Sequence, residues 1–163
     1  MFKAVKPNSQ ITKILSEIVK TSQRQWVKKI TYRKFSEQEF LERPIPSKDI
    51  PASFSGIPIQ GYESLLGDCC KLLGAKKVTN SIYYPPNAML PWHTNSDLEG
   101  VRTYYTFSME GGMFRYYDSE TGEFINAYDN KGWNVNTFEI VKDKPFWHTV
   151  WAKGSRFSFG FLS

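Results

Sequence analysis

The sequence predicts a mainly β protein, a jelly roll of about eight strands braced by two or three N-terminal helices. From Lys77 onward the chain divides into eight short runs in which apolar or aromatic residues alternate with polar ones, the period of a half-buried strand. Aromatic residues make up 16% of the chain and fall mostly in those runs, which suits a pleated, β-rich core. Before Lys77 the apolar spacing is helical instead. At 163 residues a single domain is expected, with residues 1–76 as a mixed helical support region and 77–163 as the jelly-roll core.

In order along the chain, Asn8 or Ser9 is placed to cap a helix through ITKILSEIVK, where Ile11, Ile14, Leu15 and Ile18 share one apolar face. Residues 25 to 42 alternate aromatic and basic character through Trp26, Ile30, Tyr32 and Phe35, which suggests a strand and then a short helix near SEQEFLE. Pro44, Pro46, Pro51 and Pro58 make 43 to 60 an irregular connection, because each proline removes a backbone donor and fixes φ. A helix is expected again over Tyr62 to Leu73, with Leu65, Leu66, Cys69, Leu72 and Leu73 apolar and Gly74 as its C-terminal stop. The eight strands then read VTNSIYY, MLPWHT, VRTYYTFS, MFRYYD, EFINAYD, NVNTFEIV, FWHTVWA and RFSFGFL. Turn material such as Pro85-Pro86-Asn87, Lys131-Gly132 and Lys153-Gly154 separates them.

The net charge of +5 is unevenly spread: residues 1–80 carry fourteen Lys and Arg against seven acids, and residues 81–163 seven against nine. A basic half attracts polyanions, but Lys28, Lys29, Arg33, Lys34, Lys76 and Lys77 are scattered without a nucleic-acid-binding module, so a solvated basic face is the expectation. Cys69 and Cys70 are adjacent and are the only cysteines, which leaves no disulfide framework and no thiolate metal cage and fits a reducing compartment. The N-terminal MFKAVKPNSQ lacks the apolar run of a signal peptide, and no stretch is long and apolar enough to cross a bilayer. A cytoplasmic protein with no membrane partner is expected.

The chemistry concentrates in PWHTNSD, residues 91 to 97, and in Phe146-Trp147-His148. The two histidines are the only ones in the chain, and Arg156-Phe157-Ser158 follows eight residues after the second. Successive strand residues face opposite ways, so His93 and position 95 can share the inner face, with His148 approaching from the opposing sheet. Arg156 and Ser158 likewise share a face. A guanidinium forks onto a carboxylate and a serine hydroxyl adds a hydrogen bond, so the pair suits the remote carboxylate of a dicarboxylic acid. Two histidines and a carboxylate on one face are the ligand set of non-haem Fe(II) oxygenases.

YPPNAMLPWHTNSD and FWHTVWAKGSRFSFGF together resemble the double-stranded β-helix 2-oxoglutarate- and Fe(II)-dependent dioxygenases, in particular the prolyl-hydroxylase-like branch and small phage-encoded members. The resemblance spans roughly residues 78 to 162. It implies His93 and His148 as iron ligands, Arg156 and Ser158 as the clamp on the C5 carboxylate of 2-oxoglutarate, and Tyr84 as a further contact to that cosubstrate. Tyr105, or Tyr104 in its place, is expected to point inward from the third strand, and Trp92, Trp147 and Trp151 are candidates for the pocket mouth. The implied reaction couples decarboxylation of 2-oxoglutarate to succinate with hydroxylation of a substrate C–H bond. The primary substrate stays open among a protein side chain, a nucleic acid and a small metabolite.

One position departs from the pattern. Two residues after the first histidine the resemblance asks for Asp or Glu, and this chain has Asn95. Asn95 can serve as a neutral ligand through its amide oxygen; Asp97 can take over if the turn at 96 to 100 swings it in, since a straight strand would hold it about 13 Å from position 93; or the site has only two protein ligands or no longer binds iron at all. Two alternatives to the oxygenase therefore remain: a non-catalytic jelly-roll module binding a sugar, peptide or capsid partner, and a cupin-like metal protein with a different small-acid ligand.

Overall fold

The run RFSFGFL sets the two sides of the molecule, because its phenylalanines and its polar or small residues occupy alternate positions. In the computed structural model, which describes residues 1–26, 32–47 and 56–163 except the Trp26 side chain, Phe157, Phe159 and Phe161 are buried beneath helices. Arg156 and Ser158, on the other face, line a cavity between two sheets. The elements in chain order are β1 (Lys3–Val5), α1 (Ser9–Thr21), α2 (Gln23–Trp26), α3 (Glu37–Glu42), β2 (Ile57–Pro58), α4 (Glu63–Leu73), β3 (Lys77–Tyr84), β4 (Met89–His93), β5 (Gly100–Ser108), β6 (Gly112–Asp118), β7 (Glu123–Asp129), β8 (Gly132–Ile140), β9 (His148–Ala152) and β10 (Arg156–Leu162). The eight expected strands are β3 to β10.

A larger antiparallel sheet has the order β1-β8-β5-β10-β3-β2, and a smaller one β4-β9-β6-β7. This is the jelly roll expected, with β1 and β2 added at the edges of the larger sheet. The helix α1 begins where Asn8 accepts backbone N–H bonds from Gln10 and Ile11 at 2.9 and 3.3 Å, satisfying donors that the first helical turn leaves orphaned. Its Ile11, Leu15 and Ile18 are fully buried with Leu66 and Cys69 of α4 against the phenylalanines of β10. Each such side chain contributes about 1.5–3 kcal/mol. Gly74 ends α4 at φ 64, the left-handed conformation that glycine adopts without a Cβ penalty. Cys69 is packed in this core, and burial, reinforced by Cys70 and Asp68, pushes its thiol up to about 11, which makes it an inert filling residue.

The helix α3 carries a complete capping box between Ser36 and Glu39. Its segment lies on the outer face of the smaller sheet, where the Trp92 and Trp151 indoles donate to the carbonyls of Arg43 and Phe35 at 3.1 and 2.8 Å. The strand expected before it falls largely on residues 27–31, outside the described residues, as does part of the proline-rich connection. Among the described residues no helix is long and apolar enough to cross a membrane.

Candidate functional site

The inner face of the larger sheet forms a floor whose composition follows from register. Arg156 pairs with Tyr84 on one side and Ser108 on the other, Ser158 with Ile82 and Thr106, and Gly160 with Asn80 and Tyr104. Gly160 keeps the floor open: a Cβ there would lie 2.6 Å from Asn80 Oδ1 and 2.7 Å from Tyr104 Cε1. The roof comes from the smaller sheet through Leu90, His93, Phe114, His148 and Val150, and the open-mouthed cavity between them is about 620 Å³.

The two histidines are direct cross-strand partners in β4 and β9, with ring centroids 4.0 Å apart. His148 was expected to approach from the opposing sheet. It lies in the same sheet instead, because β4 and β9 are neighbours. The pairing between them shifts register between Leu90 and His93, and this bulge at Pro91-Trp92 turns both Leu90 and His93 inward where a regular strand would put them on opposite faces.

Each imidazole is oriented by its own backbone. His93 Nδ1 donates to the Pro91 carbonyl at 2.7 Å, and His148 Nδ1 to the Phe146 carbonyl at 2.8 Å. A carbonyl only accepts, so both rings carry their proton on Nδ1 and present Nε2 as the lone-pair nitrogen, the tautomer a metal requires. His148 is packed among the rings of Phe114, Phe138 and Phe146 at centroid distances of 5.3, 5.2 and 5.4 Å. Burial and then the adjacent His93 hold its pKa well below the ordinary histidine value, with the Phe146 carbonyl opposing them in part.

That depression has a sign. The unfolded chain protonates His148 near pH 6.5 and the folded protein only far below, so the unfolded state binds more protons across that window. Metal-free protein is therefore expected to lose stability as pH falls from about 6.5. Urea unfolding between pH 7 and pH 5 in chelator checks this: His148→Phe should flatten the slope, and an unchanged slope would refute the assignment.

Beyond His93 the strand ends, and Asn95 adopts a left-handed backbone at φ 54. The i, i+2 strand geometry expected for this residue is thus replaced by a turn, which still brings the side chain inward: Asn95 Nδ2 donates to His148 Nε2 at 3.1 Å. Asn95, Ser96 and Asp97 all border the cavity, and Asp97 is exposed at its rim. Among the described residues no group of three His, Cys, Asp or Glu converges, and the side chain hydrogen-bonded to the histidine pair is the Asn95 amide. Two Nε2 nitrogens and an amide that delivers Oδ1 after rotation about its last side-chain bond are a donor set an Fe(II)-sized cation accepts, with less charge compensation than a carboxylate gives.

Arg156 is fully enclosed. Its Nε donates to Asp129 Oδ2 at 2.9 Å, and that oxygen also accepts from Ser108 Oγ at 3.2 Å. Nη2 reaches Thr106 Oγ1 at 3.4 Å, and the guanidinium carbon lies 5.2 Å from the Tyr84 ring centroid. Burial pushes the Tyr84 phenol up to about 12 although the Arg156 charge and a hydrogen bond from Arg156 oppose it, so Tyr84 stays a neutral hydroxyl. Asp129 was not recognised from the sequence, where an acid ending EFINAYD before Asn130-Lys131-Gly132 resembles ordinary turn material.

The remaining expectations divide by strand phase. Tyr104 lines the cavity; Tyr105 points the other way, buried under α1 with its hydroxyl accepting from the Asn8 backbone N–H at 3.3 Å. None of Trp92, Trp147 and Trp151 borders the cavity, because His93, His148 and Val150 point inward and their neighbours outward. Arg102, absent from the sequence reading, is buried at the cavity wall.

No protein-family model matches the chain, and no curated protein sequence matches it. Solved structures do. A prolyl hydroxylase from Trichoplax adhaerens, in complex with a peptide fragment of the hypoxia inducible factor oxygen degradation domain, superposes with a TM-score of 0.61 at 15% identity, covering 99% of this chain and 82% of that one. A Pseudomonas putida prolyl-4-hydroxylase gives a TM-score of 0.52 at 14% identity, covering 99% and 91%. The chain thus shares the jelly-roll fold of these two prolyl hydroxylases.

Proposed function

We propose that the protein is a 2-oxoglutarate- and Fe(II)-dependent oxygenase that hydroxylates a substrate C–H bond. One observation carries the reading: two cross-strand histidines, both fixed with the proton on Nδ1, share a cavity with a buried arginine-serine pair on the facing sheet. In this reading His93, His148 and the Asn95 amide hold the metal, which supplies the redox chemistry that activates dioxygen. One oxygen atom enters the carboxylate of succinate as carbon dioxide leaves 2-oxoglutarate, and the other becomes the hydroxyl of the product.

The chain's own part is binding and orientation. Arg156, held in place by Asp129, forks onto the C5 carboxylate of the cosubstrate, and Ser158 and the neutral Tyr84 hydroxyl complete the hydrogen bonding at that end. Phe114, Phe138, Leu90 and Val150 exclude water around the histidines.

The test is metal-dependent conversion of 2-oxoglutarate to succinate by the wild type, followed by Asn95→Asp. The left-handed backbone at position 95 accepts Asp as well as Asn, so the substitution puts a carboxylate beside His148 Nε2. Metal affinity is expected to rise by roughly tenfold or more, as an anion replaces a neutral donor. No change there together with a large loss from Asp97→Ala would transfer the third ligand to Asp97. The neutral donor at position 95 favours a second reading, a binding module that keeps the acid-binding cavity without turnover; it predicts no succinate with either protein.

A further inference from the structure

Two buried arginines line the cavity, and among the described residues only one of them forms an ion pair. Arg156 is neutralised by Asp129. Arg102, in β5 and 4% exposed, forms no ion pair among the described residues. Its Nη2 donates to the Leu98 carbonyl at 2.7 Å, and its Nε is buried without a hydrogen-bond partner among the described residues. A guanidinium carries five donors and a full charge, and removing it from water without an anion is strongly unfavourable. Such a group persists where a ligand supplies the missing charge.

Its position separates it from the cosubstrate end. Arg102 is the register partner of Leu162, whereas Arg156 begins the same strand, six residues or about 20 Å of extended chain away. The guanidiniums bond to opposite ends of the β5 region, Arg156 to Thr106 and Arg102 to Leu98. On its other side Arg102 pairs with Phe138, whose ring lies 5.2 Å from that of His148, so the uncompensated charge sits at the histidine end. Asn80 lines the same cavity, and its Oδ1, lying over Gly160 beside Tyr104, is buried without a hydrogen-bond partner among the described residues.

We propose that Arg102 is the receptor for an anionic group of the primary substrate, which is therefore a small free acid such as an α-amino acid, with Asn80 Oδ1 accepting from a donor on the same molecule. This deepens the oxygenase reading and rests on it for the word substrate. The receptor itself does not depend on turnover. A neutral polypeptide would bring only carbonyl dipoles to Arg102 and leave its charge uncompensated.

The test is calorimetric, on protein holding Mn(II) and 2-oxoglutarate, titrated with three probes: the twenty free L-amino acids in turn, their carboxamides, and an N-acetylated, C-amidated peptide centred on proline. At least one free acid is expected to bind, its carboxamide at least tenfold more weakly, and the capped peptide not at all. Arg102→Gln, which keeps a donor for the Leu98 carbonyl, should abolish free-acid binding while Mn(II) and 2-oxoglutarate affinities stay within about threefold. Three results would overturn the proposal: binding of the capped peptide in place of every free acid, no response to any free acid, or a parallel loss of Mn(II), 2-oxoglutarate and acid in Arg102→Gln, which would make Arg102 a staple for the Asn95 turn. Failure of the oxygenase reading looks different: Mn(II) and 2-oxoglutarate do not bind the wild type, yet a free acid still does and Arg102→Gln still removes it.

Discussion

Arg156→Ala is expected to weaken 2-oxoglutarate binding by two to three orders of magnitude and to destabilise the protein at the same time. Removing the fork takes away the proposed buried, charge-assisted contact to the cosubstrate, an effect of about 2–5 kcal/mol. It also strands Asp129, whose Oδ2 loses the Nε–H donor at 2.9 Å and keeps only Ser108. Breaking a buried pair from one side costs about 3–5 kcal/mol because an uncompensated charge remains. The two losses separate in a double variant: Arg156→Met with Asp129→Asn should recover much of the stability and none of the cosubstrate affinity. Urea unfolding and calorimetry read the two quantities. Recovery of 2-oxoglutarate binding in the double variant would remove Arg156 from the clamp, and an undiminished midpoint in Arg156→Ala would show that Asp129 does not depend on it.

His148→Ala carries the other large effect. In the proposed metal site it deletes one of two nitrogen ligands and leaves its partner His93 with the neutral Asn95, so metal affinity should fall by more than the roughly 10–100-fold typical of losing a supporting residue alone. Anaerobic dialysis against Fe(II) followed by elemental analysis is expected to find one metal per wild-type chain and none above background in the variant. The surrounding rings of Phe114, Phe138 and Phe146 keep the strand in place, so the fold should survive, and near-ultraviolet circular dichroism checks this. Full metal retention by a folded His148→Ala protein would place the metal elsewhere.

The strands were legible because period-two alternation is a local property. RFSFGFL places phenylalanines under α1 and α4 and Arg156, Ser158 and Gly160 over the cavity with no further information. The helix start at Asn8 and stop at Gly74 were equally local. The edge strands β1 and β2 escaped notice because three and two residues show no period. The register slip at Pro91-Trp92 was also hidden, since a bulge depends on the partner strand, and with it the fact that His93 and His148 lie side by side.

Phase explains the tyrosine correction. In VRTYYTFS the positions of Arg102, Tyr104 and Thr106 alternate with those of Tyr105 and Phe107, and the apolar set belongs under the helices; Arg102 in that phase was the available signal for a buried cation. Asp129 carried none, because its partner Arg156 is 27 residues away and only the folded strands bring them together. Asn95 stands where the resemblance asks for a carboxylate, and its left-handed backbone is a property of the turn and not of the His-x-Asn spacing.

The most direct measurement is an anaerobic calorimetric titration of metal-free protein, first with Fe(II) and then with 2-oxoglutarate. The account predicts one Fe(II) per chain and one 2-oxoglutarate that binds tightly only after the metal, with the second event lost in Arg156→Ala and both lost in His148→Ala. Absence of any Fe(II) binding by the wild type, with 2-oxoglutarate binding unaffected by the metal, would contradict it and leave the acid-binding module as the reading that stands.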